Sequence, residues 1–426
     1  MSFSKFDWYT GGIVYIFSLF VLLVWSVVSG LWDYSLVGGL VTSSYFCFDS
    51  VSLYLVLLSV FLWMSLLFLF SVVTLSSKIL ITLSVMCSLV SYCCVHSLVF
   101  WVFYEMSILL LLLLLVLESP YSERYIASWY LLGYVVLTSL PMLLCIFYLS
   151  LNWGSFNLRF WFDSYEGCVS SGVFAVLAVM FITKIPLPPF HVWLPIVHAE
   201  ASSIVSVCLS GYIMKLGVLG ICRFCSHLLS GLVLSNSYMI VALLLAVLFF
   251  FSATRELDGK RWLAFLSLSH IIIAAVCLSV VGFEGSSLAF VFSLGHGLSA
   301  GVTFIFLWLA YEVSGSRNWN VLKYCLSGGL FMRCLAASCL CTVASLPPTV
   351  QFFSEVFILS EAGVLSSFFI CAFYFYLFCS GLVPLFLIGS LLSRHYSISF
   401  AGGSVWCYFS SILFLVVWSF IWFIVA

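Results

Sequence analysis

The sequence contains very little charge. Only 7% of its 426 residues are Asp, Glu, Lys or Arg, whereas a soluble domain normally carries about 25%. Hydrophobic residues make up 65% of the chain, and the mean hydropathy is +1.27. This composition excludes an ordinary soluble globular protein and predicts one integral membrane domain over residues 1–426. The formal net charge of -1 implies no nucleic-acid partner.

The sequence also lacks the short motifs that mark common cofactor sites. It contains no G-x-G-x-x-G and no P-loop, so nothing indicates a nucleotide site. Its 17 cysteines and 7 histidines show no clustered ligand spacing, and we predict no metal site. Cys222 and Cys225 form a C-x-x-C at the end of an apolar run, without a soluble redox fold around it. We interpret them as small hydrophobic packing residues.

The N-terminus shows no cleavable targeting sequence. Residues Met1 to Tyr9 carry only Lys5 and Asp7 as charges, whereas a transit peptide is Arg-rich and amphipathic. The composition is strongly skewed, with 43 Phe and a single glutamine, Gln351. Both features favour a protein encoded in an organelle genome or made in a bacterium.

Apolar runs fill most of the chain. At about 20 residues per membrane-spanning helix, the length predicts an all-α polytopic protein of about 13 or 14 transmembrane helices. The polar stretches between the runs are too short to fold alone. We predict spans near 11–32, 51–75, 78–95, 97–117, 125–150, 170–192, 200–224, 229–252, 260–282, 284–310, 327–362, 366–392 and 404–426, with a short further span near 34–46.

Proline interrupts two of these spans. Prolines follow Lys184 in the first, and Pro347–Pro348 interrupts the second. Each break frees backbone groups that protein or water must satisfy. The breaks occupy corresponding places in two stretches of about five helices, which predicts an inverted repeat with an ion site at the breaks. Simple proline kinks are the alternative. The predicted organisation is N-terminal helices at 1–76, a first repeat at 78–224, a second at 229–392 and a C-terminal helix at 404–426.

Two opposite charges lie within predicted spans of the first repeat. Glu105 stands midway along an apolar run, and Lys184 stands just before the first proline break. Burial disfavours the charged form of an isolated carboxylate, so Glu105 should be either neutral or paired. Lys184 could be its partner if the two helices pack together. The pair could switch the proton affinity of the lysine, or it could be a static ion pair that ties two helices.

Further ionisable residues lie along the apolar runs. Lys215 is in mid-span, where the alternative to a functional role is snorkelling to an interface. Histidine titrates near neutrality and has both donor and acceptor nitrogens, which suits a proton relay. A packed neutral imidazole is the alternative for each. The histidines and the terminal carboxylate of such a relay would be His270, His296 and Glu355, with weaker candidates His191 and His198.

A charged cluster forms the start of the span predicted at 260. It consists of Arg255, Glu256, Asp258, Lys260 and Arg261. Acidic residues suit a helix N-terminus, where the backbone dipole is positive. The alternative is an ordinary charged loop.

The motif around the first break resembles a known family, the antiporter-like membrane subunits of respiratory complex I. That family shows a pattern close to K-x-P-L-x-x-x-H-x-W-L-P-x-x-H-x-E-A-P, followed by L-K-x-G-x-x-G. Ser202 stands where the family usually has proline, and Gly259 replaces a leucine in the later D-L-K segment. The resemblance covers about residues 49 to 392. The matching residues are Lys184, Pro186, Leu187, His191, Trp193, Leu194, Pro195, His198, Glu200, Ala201, Lys215, Gly217 and Gly220, with Asp49, Glu105, Glu123, Arg124, Asp258, Lys260, His270, His296, Pro347, Pro348 and Glu355 outside this stretch.

The resemblance implies a specific architecture and role. Two inverted five-helix bundles, each built around a discontinuous helix, would surround a central hydrophilic axis. Glu105 and Lys184 would be the coupled pair, Lys215 the central relay, His270 and His296 its continuation, and Glu355 its end. The family implies no redox cofactor in this chain, with NADH, FMN, iron–sulfur clusters and ubiquinone bound by other subunits. Implied partners are neighbouring antiporter-like subunits and lipids such as cardiolipin, in the mitochondrial inner membrane.

Two alternatives share the same fold. A stand-alone or Mrp-type cation/proton antiporter would also contain the Glu/Lys pair, although antiporter-like members often carry lysine at the position of Glu355. A purely structural subunit with a degenerate pathway is the other alternative. The presence of Glu105, Lys184, Lys215 and Glu355 argues against it.

Overall fold

The computed structural model describes residues 41–42, 45–119, 121–163, 171–225, 234–282, 285–326, 330–363, 366–392 and 405–425. The span predicted near 11–32 and most of the one near 34–46 lie outside these residues. The helices of the first half are α1 (Ser50–Phe68), α2 (Leu75–Cys93), α3 (Ser97–Glu118), α4 (Arg124–Leu131), α5 (Ser139–Trp153), α6 (Leu158–Asp163), α7 (Ser171–Lys184), α8 (Trp193–Glu200), α9 (Ser203–Cys208) and α10 (Met214–Phe224). Those of the second half are α11 (Asn236–Arg255), α12 (Gly259–Val281), α13 (Ser286–Ser314), α14 (Trp319–Leu326), α15 (Leu330–Val343), α16 (Val350–Ala362), α17 (Ser367–Leu392) and α18 (Val405–Val425).

A small β-hairpin precedes the first described helix. Strand β1 (Val41–Thr42) pairs antiparallel with β2 (Cys47–Phe48). The short span predicted near 34–46 is therefore wrong over its described residues. Val41 and Thr42 are β-branched, which favours a strand over a helix. Asp49 is the N-cap residue of α1, since its side chain accepts a hydrogen bond from the Ser52 backbone amide at 2.8 Å.

The described residues confirm an all-helical polytopic membrane protein. Nine helical stretches within them are long and apolar enough to cross a membrane. Shorter apolar helices lie at Gly172–Lys184, Leu330–Val343 and Trp406–Ile421. The prediction of about 13 or 14 helices depends in part on residues outside the described ranges.

Both predicted breaks are present. Helix α7 ends at Lys184 and α8 begins at Trp193, while α15 ends at Val343 and α16 begins at Val350. The spans predicted at 170–192 and 327–362 therefore each contain several residues of non-helical backbone, as expected from their prolines, because proline removes amide donors and clashes with the preceding turn. Whether the two halves form an inverted repeat stays a prediction.

Two helical spans form the centre of the bundle. In Ser203–Phe224 and Ser286–Ser314, every residue of an apolar 18-residue stretch is buried. In the corresponding stretch of Arg124–Trp153, only 28% of the residues are buried. Helix α13 packs closely on α1, since a Cβ at Gly297 would lie 2.5 Å from the Leu58 side chain. The spans that carry Lys215 and His296 are thus the most enclosed ones among the described residues.

Candidate functional site

Glu105 and Lys184 form an ion pair between two helices. Glu105 lies within α3 and Lys184 ends α7, and the Lys184 ammonium donates a hydrogen bond to Glu105 Oε1. The residues are 5% and 2% exposed, respectively. The second carboxylate oxygen of Glu105 has no hydrogen-bond partner among the described residues. The Lys184 ammonium also lies 4.3 Å from the centre of the Tyr104 ring, which offers a second favourable contact for its charge.

Side chains from two other segments satisfy the backbone around the first break. The Trp193 indole donates to the Thr183 carbonyl at 3.0 Å. The Tyr238 hydroxyl, from α11, donates to the Pro188 carbonyl at 2.6 Å. Non-helical backbone at membrane depth is tolerated only where protein or water satisfies it. These contacts therefore hold the end of α7, and with it Lys184, in a defined place.

Lys215 is fully buried on the most enclosed span. Its ammonium donates to the Ser210 carbonyl at 2.5 Å. Ser210 lies in a π-helical segment, Leu209–Ile213, that joins α9 to α10. A π-helical turn shifts each carbonyl's backbone partner by one residue, which makes room for a side-chain donor. Complete burial and this internal contact do not fit a lysine that snorkels to an interface.

Two glycines bring the Lys215 helix against the Lys184 helix. A Cβ at Gly220 would lie 2.1 Å from the Phe181 ring, and one at Gly217 would lie 2.7 Å from the Ile185 side chain. Any larger residue would force the helices apart. The L-K-x-G-x-x-G pattern thus places Lys215 on a helix that packs directly on α7.

The two weaker histidine candidates occupy different surroundings. His198 lies in α8, is 0% exposed and stacks on Phe304, with ring centroids 5.0 Å apart. Neither of its ring nitrogens has a hydrogen-bond partner in the described part of the chain. His191 lies in the break and packs on Phe249, with ring centroids 4.9 Å apart. His198 is therefore the more enclosed of the two.

His270 lies at the centre of a polar cluster in the second half. Its Nδ1 contacts the Tyr376 hydroxyl at 2.7 Å and the Gln351 amide nitrogen at 3.2 Å. Since the amide nitrogen can only donate, this network assigns Nδ1 as an acceptor and places the proton of a neutral ring on Nε2. His296 lies beside it, with ring centroids 5.6 Å apart.

Glu355 lies in α16, just past the second break, and is 2% exposed. Its carboxylate accepts from the Ser345 hydroxyl at 2.9 Å and from the Gln351 amide at 3.3 Å. Gln351 also accepts from the Ser299 hydroxyl at 3.2 Å. Gln351 therefore connects His270 to Glu355 through one side chain.

The ionisable residues form two groups with Lys215 between them. Among the described residues, no direct hydrogen bond joins Lys215 to the Glu105–Lys184 pair or to the histidines. Lys215 does interact electrostatically with three imidazoles, those of His198, His270 and His296. The arrangement places ionisable side chains at separate buried positions of the bundle.

Sequence reasoning missed several members of the site. Gln351 and Tyr376 were not assigned roles, and neither was the Ser210 carbonyl. Gln351 could have been found, because it is the chain's only glutamine and lies four residues before Glu355 on one helix face. No sequence signal identifies Tyr376 among 21 tyrosines.

Metal binding receives no support from the described residues, which contain no group of three or more His, Cys, Asp or Glu that could hold a metal ion. Cys222 and Cys225 are both buried free thiols that form no disulfide. This geometry fits the packing role inferred from their position in the sequence.

Comparison with known sequences identifies a family. Residues 95–381 match the family described as NADH:quinone oxidoreductase/Mrp antiporter, transmembrane. An NADH-ubiquinone oxidoreductase chain 4 from Ceratitis capitata is 30% identical over 359 residues, which cover 82% of this chain and 76% of the relative. One from Caenorhabditis elegans is 26% identical and is covered over 72% of its length, with 71% of this chain aligned.

Solved structures share the fold. A chain of respiratory complex I from Thermus thermophilus with bound NADH superposes with a TM-score of 0.80 at 21% identity, covering 94% of this chain and 89% of that one. A chain of the Mrp complex from a Dietzia species gives a TM-score of 0.71 at 16% identity, covering 92% and 76%. Both chains come from structures of complexes.

Proposed function

Because the chain belongs to the transmembrane family of NADH:quinone oxidoreductase and Mrp antiporter subunits, we propose that it is a proton-translocating core subunit, chain 4, of respiratory complex I. It couples electron transfer from NADH to ubiquinone to proton movement across the membrane. The observation that supports this role most strongly is the buried Glu105–Lys184 ion pair at a broken membrane helix. Buried charge at such a break is costly and commonly marks an ion path.

The first step is a change in the pairing of Glu105 with Lys184. A shift of charge elsewhere in the complex attracts or repels one partner and changes their separation. When the pair opens, the Lys184 ammonium loses its counter-charge and more readily gives up its proton. Helix α10, which carries Lys215, packs on α7 through its glycines. Lys215 is therefore the next residue of the proposed proton path.

Lys215 then passes a proton to the second half. Its only direct hydrogen-bond acceptor among the described residues is a backbone carbonyl, so no fixed counter-charge holds the proton there. His296 and His270 accept and return protons through their ring nitrogens. Gln351 orients His270 and Glu355 toward each other, and Glu355 releases the proton at the far end.

The subunit works within a larger assembly. We place its partners among the other membrane subunits of complex I, and we expect lipids such as cardiolipin at its surface. NADH, FMN, iron–sulfur clusters and ubiquinone are expected in other subunits, with the proton-translocating NADH:ubiquinone reductase activity belonging to the whole complex. We place it in the mitochondrial inner membrane and propose that an organelle genome encodes it, which the skewed composition supports.

A native gel tests the assignment. Mildly solubilised membranes are separated, stained for NADH oxidation, and searched for this chain by mass spectrometry. The proposal predicts co-migration with a large NADH-oxidising band. Migration as a small, NADH-inactive species, with ion exchange in vesicles without NADH, would instead identify a stand-alone antiporter.

A further inference from the structure

The C-terminal end of α8 leaves buried carbonyl groups that the helix itself cannot satisfy. Residues Ala199, Glu200 and Ala201 are 1%, 7% and 0% exposed, respectively. The last carbonyls of any helix lack intrahelical partners. Inside a membrane protein such groups must find donors elsewhere, because each unsatisfied one is costly.

Three side chains from three separate elements supply these donors. Arg317, in the loop after α13, donates to the Ala199 carbonyl at 2.5 Å. Lys260, at the start of α12, donates to the Ala201 carbonyl at 2.9 Å. The Ser119 hydroxyl, directly after α3, donates to the carbonyl between them, that of Glu200. Two of the donors are cations, which also suits the negative end of a helix dipole.

The two cations are themselves held in place. The Arg317 guanidinium lies 4.2 Å from the centre of the Tyr121 ring and the Lys260 ammonium lies 5.4 Å from it. Arg317 also pairs with Asp258 at 3.4 Å. The backbone of Gly259 donates to the Arg317 carbonyl at 2.9 Å, which joins the start of α12 to the loop after α13.

These elements carry the proposed proton path. Helix α3 contains Glu105, α12 contains His270 and α13 contains His296. Helix α8 contains His198 and leads directly into the span of Lys215. The end of α8 is therefore a junction at which both halves of the chain meet.

We propose that Lys260, Arg317 and Ser119 form a carbonyl clamp on the end of α8 and act as positioning residues for the proton path. The clamp fixes the broken helix against α3, α12 and α13, so that both groups of ionisable residues keep their spacing. Its effect on proton pumping rests on the proposed function, whereas its effect on the order of α8 does not. The cations act as hydrogen-bond donors and do not themselves carry the translocated proton.

Substitutions at position 260 distinguish a hydrogen-bond donor from a carrier of the translocated proton. Arginine at position 260 keeps a charged donor for the Ala201 carbonyl, but it does not release a proton near neutral pH. A Lys260→Met change removes the donor. Arg261→Met is the matched control, because Arg261 is the adjacent cation and is exposed.

The experiment measures two properties of the intact complex purified from its membranes. Hydrogen exchange of residues 193–206 reports the order of α8, and protons moved per NADH oxidised report function. For Lys260→Met we expect about tenfold faster exchange in this segment, the scale of losing one buried hydrogen bond, and a lower proton yield. Lys260→Arg and Arg261→Met should behave like the unaltered protein in both measurements.

Two results would overturn the clamp. Unchanged exchange in Lys260→Met is one. The other is a Lys260→Arg protein with normal exchange but the same pumping defect as Lys260→Met, since that would make Lys260 a proton carrier. If Lys260→Met fails to assemble, Ser119→Ala tests the same row of carbonyls, and unchanged exchange there would equally exclude the clamp. Failure of the proposed function can be told apart from failure of the clamp. If the proposed function is wrong, Glu105→Gln leaves proton pumping intact, whatever hydrogen exchange is measured in residues 193–206.

Discussion

The side-chain amide of Gln351 donates a hydrogen bond of 3.3 Å to the carboxylate of Glu355, one helical turn further along α16. The same amide nitrogen reaches His270 Nδ1 at 3.2 Å. A single neutral side chain thus links a histidine of one helix to the carboxylate at the second break. A substitution at Gln351 should therefore affect both His270 and Glu355.

Replacement of Gln351 by leucine should impair the enzyme. The change removes the Gln351 donor from both groups. Glu355 Oε1 is then left unsatisfied among the described residues, at a cost of about 1–3 kcal/mol, whereas His270 Nδ1 keeps the Tyr376 hydroxyl. We expect lower NADH:ubiquinone activity and lower pumping in assembled complex. Phe357→Leu, on the exposed side of the same helix, is the control. Normal pumping in Gln351→Leu would remove Gln351 from the path.

Glu105→Gln should uncouple the first half while preserving its shape. The amide is isosteric with the carboxylate but leaves the buried Lys184 ammonium without its counter-charge. We expect coupled activity to fall by about five- to 150-fold, which corresponds to a typical coupling free energy of about 1–3 kcal/mol. Assembly on native gels should be normal. Glu361→Gln, at an exposed glutamate, should have no effect. Equal activity in the two variants would refute a coupling role for Glu105.

Tyr376→Phe tests the orientation of His270. The phenylalanine keeps the packing but removes the hydroxyl that lies 2.7 Å from His270 Nδ1. We expect slower proton transfer, with a larger effect on turnover than on the apparent KM for ubiquinone. Tyr374, which is 57% exposed on the same helix, provides the control Tyr374→Phe. A change confined to KM would argue against a role of Tyr376 in proton transfer.

Gly220→Ala should destabilise the packing of α10 on α7. The added methyl group would lie 2.1 Å from the Phe181 ring, and overpacking of this kind typically costs about 1–3 kcal/mol. We expect less assembled complex on native gels and a lower thermal midpoint. Gly172→Ala is the control, because a Cβ at Gly172 meets nothing within 4 Å. Phe181→Leu should partly restore Gly220→Ala, and its failure to do so would assign the defect elsewhere.

Sequence reasoning located the main landmarks of the site. Charge and proline are so rare in this chain that Lys184 beside Pro186, and Pro347–Pro348 before Glu355, indicate the two breaks on their own. These features could be predicted because each departs from an otherwise uniform apolar background.

Other features could not be read from the sequence. The hairpin at 41–48 depends on local backbone preferences that a hydropathy pattern hides. The contact of Tyr376 with His270 joins positions 106 residues apart, and Tyr376 has no distinctive local motif. The π-helical segment at Leu209–Ile213 changes the position of the Ser210 carbonyl by a shift in backbone pairing, which leaves no trace in residue type.

Lys215 provides the most direct test of the central claim that protons cross the membrane through this chain. The measurement is the number of protons moved per NADH oxidised, by assembled complex in sealed vesicles, for Lys215→Met beside the exposed-cation control Arg333→Met. We predict a reduced proton yield, slower coupled turnover or both in Lys215→Met, with full assembly, and normal values in the control. A normal proton yield and turnover in Lys215→Met would contradict the account, because the path from Lys184 to His270 would then not pass through Lys215.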